Sequence, residues 1–226
     1  MNSEIDKKEK LEIQNDKEIS QEQVWNIIAE QWSNFRQRPS RDIDLKLKYL
    51  AEKWKPGRIL DIGCGNCRNL LPFCFRYFKC YGIDFSENML EQAEKYCEKH
   101  KMRVALKKSD ASDLSFPNNS FDYVLCLSML HNMEKGKREK TIKEIKRILK
   151  NNGEALISVW NKMQGRFLLK KKELKIPWRI KGKTYERYYY LFTPIELKNL
   201  FRKYGFKILK CNFFGRNINL LVKKAG

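Results

Sequence analysis

Asp61, Gly63 and Gly65 have the residue types and the spacing of a turn that binds a nucleotide-like cofactor. The acid lies in a short apolar run, and the two glycines follow it on either side of Cys64. This order predicts a buried strand that turns tightly into a helix, which leaves backbone amides free to contact a ligand. Because Arg68 stands where a dinucleotide-binding turn has its third glycine, the pattern argues against NAD.

A second acid follows at the distance that a ribose-binding site requires. Asp84 ends the next apolar run about 20 residues after the glycine turn, where an acid accepts hydrogen bonds from ribose hydroxyls. Asp110 follows a third predicted strand, and His131 lies just beyond a fourth. Since ligands bind at the carboxyl ends of parallel strands, we expect these residues to meet at one edge of a sheet.

The alternation of apolar runs with amphipathic segments predicts the elements that hold these residues. Two amphipathic helices begin at Gln21, and five repeats of strand and helix follow them. The predicted fold class is α/β, a doubly wound, mostly parallel sheet of seven strands with N-terminal helices and an antiparallel C-terminal hairpin. A helix over 68–77 and a helix stop at 151–153 are also expected. The predicted strands cover residues 59–62, 80–84, 103–108, 123–128, 154–160, 206–213 and 218–222.

Charge is distributed unevenly along the chain. Residues 1–20 contain six acids and four lysines with few apolar residues, which predicts a disordered tail ahead of a single folded domain over 21–226. The net charge of +20 therefore lies in the folded part and indicates a polyanionic partner. No apolar run approaches a membrane span and no signal peptide is apparent, so we expect no membrane partner and a cytoplasmic or nuclear location.

Residues 161–192 are a basic, aromatic insert within the predicted domain. Residues 161–187 include ten Lys and Arg residues but only two Glu residues, and aromatic residues are interleaved with the basic ones. Cations that neutralise phosphates beside rings that stack on bases are what recognition of looped RNA requires. A solvated basic loop with a few core aromatics is the alternative. The candidate RNA-binding residues are Trp160, Lys170, Lys171, Lys172, Tyr188, Arg216 and Asn217.

Cysteine and histidine usage argues against a metal site. Seven cysteines without an export signal are expected to be reduced. The Cys64-x-x-Cys67 pair has the spacing of a zinc or redox motif, but no second pair accompanies it and it occupies the cofactor turn. His100 and His131 are the only histidines, so no metal ligand set is predicted.

The glycine turn resembles motif I of the class I S-adenosylmethionine-dependent methyltransferases, with Cys67 in place of the last glycine. The chain is similar, more narrowly, to the family that methylates the carboxymethyl group on the wobble uridine of tRNA, shared by the fungal enzyme and the methyltransferase domain of an animal AlkB homologue. This likeness rests on residues 24–36, 130–131, 158–160 and 187–192.

The resemblance implies methyl transfer from S-adenosylmethionine to the carboxylate of 5-carboxymethyluridine, which forms 5-methoxycarbonylmethyluridine. Because that carboxylate is already ionised, no general base is needed. Arg36 and Arg187 are the candidate carboxylate clamp. His131 would orient the substrate or bond the cofactor, or would merely cap a loop. The implied cofactor-binding residues are Asp61, Gly63, Cys64, Gly65, Asp84, Phe85, Asp110, Ala111 and Leu127.

The resemblance also implies a tRNA partner and a small zinc-binding activator subunit. Phe73, Phe75 and Phe78 would suit the surface that pairs with the activator, or they are ordinary core. Two other functions stay open at this point. One is a small-molecule methyltransferase that acts on quinones or fatty acids, and the other is a non-catalytic RNA-binding scaffold of the same fold.

Overall fold

The computed structural model describes residues 19–225, which fold around one seven-stranded sheet. Along the sheet the strand order is β3-β2-β1-β4-β5-β9-β8. Strands β1 to β5 pair in parallel, whereas β9 runs antiparallel to both β5 and β8. This arrangement confirms the predicted fold class. The sheet strands are β1 Arg58–Ile62, β2 Lys79–Asp84, β3 Val104–Lys108, β4 Phe121–Leu127, β5 Leu149–Trp160, β8 Phe206–Cys211 and β9 Asn217–Lys224.

Helices cover both faces of the sheet and bury its apolar side chains in two large clusters. Helix α1 begins with a capping box, in which the Ser20 hydroxyl accepts a hydrogen bond from the Gln23 amide and the Gln23 side chain bonds back to the Ser20 amide. None of the helices in the described range is long and apolar enough to span a membrane. The helices are α1 Gln21–Phe35, α2 Arg41–Lys53, α3 Leu71–Cys74, α4 Glu87–Lys99, α5 Lys135–Ile148 and α6 Pro194–Lys203.

Two predicted helix ends are wrong. In both cases the helix ends before the residue at which the sequence pattern predicted its end. The helix expected over 68–77 is a 3₁₀ turn followed by α3, and the chain then turns at Tyr77, whose φ of 61° is left-handed. The helix stop expected at 151–153 lies inside β5 instead. Asn152 has a φ of 66° there, and α5 ends at Ile148.

The basic insert contains a second, two-stranded sheet that the sequence did not predict. Strands β6 Glu173–Ile180 and β7 Lys183–Tyr190 pair antiparallel outside the main sheet. Helix α1 holds this hairpin, because Gln21 bonds the backbone of Glu186 and Tyr188 while the Trp178 indole donates to Gln31. These bonds place Tyr188 of β7 next to the start of α1. The tail predicted to be disordered falls outside the described residues except for Ile19 and Ser20.

Candidate active site

A cavity of about 310 Å³ lies at the carboxyl ends of β1, β2 and β4, where the sequence predicted the cofactor. Most of the predicted cofactor residues line it, although they are far apart in the chain. This shared location meets the expectation for a doubly wound sheet. The predicted residues on the wall are Gly63, Cys64, Gly65, Asp84, Phe85, Asp110, Ala111 and Leu127.

The two glycines of the turn are required by close contacts as well as by their backbone angles. Gly63 has a φ of 67°, and a Cβ at this position would lie 2.4 Å from Cγ of Met129. Gly65 has a φ of 54°, and its Cβ would lie 3.2 Å from the Trp32 ring. Side chains here would be strained and would fill the cavity. The turn is therefore a cradle that keeps backbone close to a ligand.

Cys67 adopts the left-handed conformation that explains why a glycine suits its position. Its φ is 61°, yet its thiol is fully buried and absent from the cavity wall. The sulfur lies beneath the turn against β2, since a Cβ added to Gly82 would be 3.0 Å from it. The hydrogen bond with Cys64 and burial raise the pKa of the Cys67 thiol. Within residues 19–225, no group of three potential metal ligands is found.

Asp84 links the glycine turn to the next helix and presents a carboxylate to the cavity. Its oxygens accept hydrogen bonds from the amides of Gly65 and Ser86, both at 3.0 Å. Burial raises the pKa of Asp84 to about 6, so the group is ionised at neutral pH. An ionised acceptor at the end of β2 suits ribose hydroxyls.

Asp61 lies behind the cavity wall rather than on it. Its Oδ2 accepts a hydrogen bond from the Asn69 side chain at 3.4 Å, whereas its buried Oδ1 has no partner. Burial raises the pKa of Asp61 to about 7. Asn69 itself lines the cavity, so its side chain lies between Asp61 and the space that a ligand would occupy. Because the buried Oδ1 has no partner, ionisation of this carboxyl is costly.

Asp110 closes the opposite side of the cavity. Its carboxylate accepts two hydrogen bonds from Ser112 at 2.8 Å and pairs with Lys137 at 3.1 Å. Burial opposes ionisation of this carboxyl, but the bonds from Ser112 and Lys137 outweigh it and lower the pKa of Asp110. The predicted contact of Asp110 and Ala111 with an adenine edge stays a prediction.

Sequence reasoning missed part of the cavity wall. Trp25 and Trp32 were not among the predicted cofactor residues, and Arg68 was noted only as a departure from glycine. All three line the cavity, and the Arg68 guanidinium lies 4.7 Å from the centre of a Trp32 ring. The Nε of Arg68 is buried without a partner, so its N–H could donate a hydrogen bond to an anionic group of the ligand. Two tryptophans a short distance apart on one helix were the available signal.

Arg187 is a buried cation beside this cavity. Its side chain is 6% exposed, its Nη1 donates to the Tyr189 hydroxyl at 3.1 Å, and its Nε has no partner. The guanidinium carbon lies 4.8 Å from the Trp178 ring centre and 5.8 Å from that of Trp25, which lines the cavity. Burial lowers the pKa of Arg187, and no ion pair forms with it among residues 19–225.

His131 adjoins the same cluster but does not line the cavity. Its Nδ1 accepts a hydrogen bond from the Trp160 amide at 3.2 Å, and its ring stacks on Tyr189 with the centres 5.1 Å apart. Burial and the charge of Arg187 lower the pKa of His131 to about 3. The imidazole is therefore neutral at physiological pH, with its proton on Nε2. The bond ties His131 to the last residue of β5, and whether His131 also orients the substrate or bonds the cofactor stays a prediction.

The other predicted acceptor-site residues occupy three different settings. Arg36 is exposed at the end of α1, and its charge helps to lower the pKa of Arg187. Tyr188 lines the cofactor cavity. The Trp160 ring stacks on Tyr189 with the centres 4.3 Å apart. Of these residues only Tyr188 lines the cavity, and whether Arg36 takes part in a carboxylate clamp stays a prediction.

The predicted cations of the insert and of the last turn are at the surface. Lys170 and Lys171 are exposed, whereas Lys172 is paired with Glu196 at 2.9 Å. Arg216 is exposed in the loop between β8 and β9, and Asn217 is the first residue of β9. Whether these residues contact RNA stays a prediction.

The apolar surface expected for the activator is only partly present. Phe73 is fully buried and Phe78 is 7% exposed, because both rings pack against the core around Trp54 and Tyr123. Phe75 alone is exposed, at 62%. The expectation that all three phenylalanines form a surface is therefore wrong for two of them.

Comparisons with known proteins agree with this geometry. The methyltransferase domain family matches residues 59–153. A demethylmenaquinone methyltransferase of Staphylococcus carnosus is 30% identical over 208 residues, which cover 84% of this chain and 81% of that protein. A protein of Encephalitozoon cuniculi that is named as a methyltransferase is 31% identical over 163 residues, which cover 67% of this chain and 70% of that protein.

A solved structure shows the same fold with a product bound. The 1,6-didemethyltoxoflavin-N1-methyltransferase of Burkholderia thailandensis, determined with 1,6-didemethyltoxoflavin and S-adenosylhomocysteine, has a TM-score of 0.70 and 18% identity. The match covers 91% of this chain and 87% of that one. Together with the relatives, the glycine cradle and Asp84, these comparisons place this chain in the class I S-adenosylmethionine-dependent methyltransferases.

Proposed function

We propose that this protein transfers a methyl group from S-adenosylmethionine to the carboxylate of 5-carboxymethyluridine at the wobble position of tRNA. The observation that carries the proposal is the buried guanidinium of Arg187, which has one hydrogen bond to Tyr189 and no ion pair in the described part of the chain. A buried charge without a counter-ion is costly, and an anionic acceptor group would offset that cost.

The residues around Arg187 suit a carboxylate acceptor. S-adenosylmethionine supplies a methyl group that is activated by its sulfonium, and an ionised carboxylate needs no base to accept it. Arg187 would hold the carboxylate, and the neutral His131 would donate a hydrogen bond from Nε2. The rings of Tyr189 and Trp160 would exclude water from the same place. Positioning and water exclusion are then the main contributions of the protein.

The charge of the chain supports a polynucleotide as the carrier of that carboxylate. The net charge is +20, and Lys170 and Lys171 are exposed in the insert that follows Trp160. Cations of this kind increase affinity for phosphates and accelerate association with them. The product of the proposed reaction is 5-methoxycarbonylmethyluridine in tRNA.

A small-molecule acceptor is the second candidate, and the names of the relatives favour it over RNA. The S. carnosus relative is a demethylmenaquinone methyltransferase, and the solved B. thailandensis structure contains a small heterocycle. A quinone has no carboxylate for Arg187 and would gain nothing from the exposed lysines. The two candidates therefore differ in charge and in salt dependence.

One assay separates the two candidates. The protein is incubated with methyl-labelled S-adenosylmethionine and either tRNA from cells that lack the modification or a demethylated quinone, and the products are identified by mass analysis. We expect the label in 5-methoxycarbonylmethyluridine. Mild alkali should release it, because it is a methyl ester, and added salt should strongly reduce the rate of labelling. Label that enters only the quinone, at a rate independent of salt, would reject the tRNA proposal.

We also propose that a small activator subunit binds this chain. A small zinc-containing protein would stabilise the chain by covering exposed apolar residues such as Phe75. Expression of the chain alone and together with such a protein tests this directly. Equal solubility and equal methylation activity in the two preparations would reject the subunit.

A further inference from the structure

Two loops at the carboxyl end of β5 are joined into one surface, which we call the acid-free surface and define as residues 161–172 and 210–217. The Asn161 side-chain amide donates to the carbonyls of Phe213 and Gly215, both at 3.2 Å. The Asn161 backbone amide donates to the Arg216 carbonyl at 3.1 Å, and the Gln164 side chain bonds the same carbonyl at 2.7 Å. These four bonds hold the loops in fixed positions relative to each other.

The acid-free surface combines positive charge with exposed apolar side chains. It contains seven Lys and Arg residues and no Asp or Glu. Leu169 is 97% exposed and Phe214 is 91% exposed, and Met163, Leu168 and Phe213 are more than 40% exposed. A cluster of large exposed apolar residues marks a site of interaction. The partner must therefore present both negative charge and apolar faces.

A row of aromatic rings connects this surface to the proposed acceptor site. The Arg166 guanidinium lies 4.3 Å from the Phe167 ring centre and 5.1 Å from that of Trp160. Trp160 stacks on Phe167 at 5.5 Å and on Tyr189 at 4.3 Å, and Tyr189 contacts His131. Phe167 and Tyr189 are buried, so this row packs the acid-free surface directly against the proposed acceptor site.

We infer that the acid-free surface binds the unpaired loop of the RNA acceptor, with Phe214 stacking on a base next to the one that is methylated. The inference rests on the proposed function and adds to it the place where the RNA strand lies. Unpaired loops expose base faces and phosphates together, whereas a duplex hides its base faces. A lipid bilayer also offers charge and apolar groups, but RNA is favoured because the adjoining acceptor site is proposed to hold a nucleoside of the same strand.

The test measures RNA binding directly and without methylation. Fluorescence anisotropy follows a labelled RNA hairpin with an unpaired loop, and a blunt duplex of the same stem. Phe214→Ala should weaken hairpin binding about tenfold and leave duplex binding nearly unchanged. Tyr49→Ala, at an exposed aromatic residue on α2 outside this surface, is the matched control and should bind the hairpin normally. Unchanged affinity of Phe214→Ala for S-adenosylhomocysteine verifies that it is folded.

The salt dependence of RNA binding is a second measurement, and a variant that is only destabilised would not change it. Lys170→Gln with Lys171→Gln should reduce the slope of log K against log salt by about 1.4, because two phosphate contacts are lost on a single strand. The same double change at Lys95 and Lys99 on α4 should leave the slope unaltered.

Three outcomes would overturn the inference. If the wild-type protein binds the hairpin and all surface variants bind it equally well, the surface is wrong although the proposed function stands. If the wild-type protein binds S-adenosylhomocysteine but neither RNA, the proposed function fails with it. If Phe214→Ala abolishes binding to phosphatidylglycerol vesicles and leaves hairpin binding intact, the partner is a membrane.

Discussion

The carboxylate of Asp61 destabilises the cofactor-free protein when it ionises, and Asp61→Asn should remove that effect. Burial raises the pKa of Asp61 from 3.8 to about 7. The protonated form therefore stabilises the fold, and this contribution is complete below about pH 3.8 and lost as the pH rises through about 7. Between about pH 5 and pH 7 the loss is about 3 kcal/mol, at about 1.36 kcal/mol per unit. The asparagine keeps an oxygen for the Asn69 bond and carries no titrating proton.

Urea unfolding of the two cofactor-free proteins at about pH 5 and pH 8 measures this effect. The stability of Asp61→Asn relative to wild type should rise by about 3 kcal/mol over that interval, which corresponds to about 6 to 12 °C in melting temperature for a chain of this size. Asp113→Asn, at an exposed carboxylate, serves as the control and should show no such trend. A difference between Asp61→Asn and wild type that does not vary with pH would refute the assignment of a buried, protonated Asp61.

Two further predictions concern the cofactor cavity. Asp84→Asn should weaken S-adenosylhomocysteine binding about 10- to 150-fold, the equivalent of a hydrogen bond to a charged group. The affinity of the wild-type protein should also fall below about pH 6, because Asp84 takes up a proton there. Calorimetry measures the affinity against pH, and an equal fall in Asp84→Asn would contradict this prediction. Gly63→Ala should abolish binding, because its Cβ would lie 2.4 Å from Met129 at a φ of 67°. Gly136→Ala is the control, because a Cβ added there would meet no other group within 4 Å, and it should bind normally in the same titration. Equal binding by both variants would refute the claim that Gly63 keeps the backbone close to the ligand.

The acids of the cofactor cavity could be predicted because spacing along parallel strands determines their place. Asp84 and Asp110 end or follow adjacent strands, so a pattern of apolar runs is enough to bring them to one edge. The same reasoning placed Asp61 at that edge but could not show that it lies behind Asn69. Sequence order gives the strand position of a side chain and not the residue that comes between it and a ligand.

The remaining features depend on contacts between distant parts of the chain. Trp32 and Arg68 have ordinary positions in the sequence, and only the packing of α1 over the glycine turn brings them together. The β6–β7 hairpin did carry a sequence signal, because Leu174, Ile176, Trp178 and Ile180 alternate with polar residues ahead of Gly182, but its support from Gln21 on α1 could not be read from the sequence. Phe73 and Phe78 resembled a surface because local composition does not reveal that Trp54 packs on Phe73 and Tyr123 packs on Phe78.

Substitution of Arg187 tests most directly the claim that a methyl donor and an anionic acceptor share this site. Arg187→Met and Arg187→Lys are compared with wild type for affinity towards S-adenosylhomocysteine and for methyl transfer to tRNA. Loss of a buried charge partner costs about 2 to 5 kcal/mol, so the methionine variant should lose at least about 30-fold in kcat/KM while its affinity for S-adenosylhomocysteine is unchanged. The lysine variant should retain more activity, because it keeps the charge without the two-pronged geometry. Parallel loss of cofactor affinity and turnover, or full activity of Arg187→Met, would contradict the account.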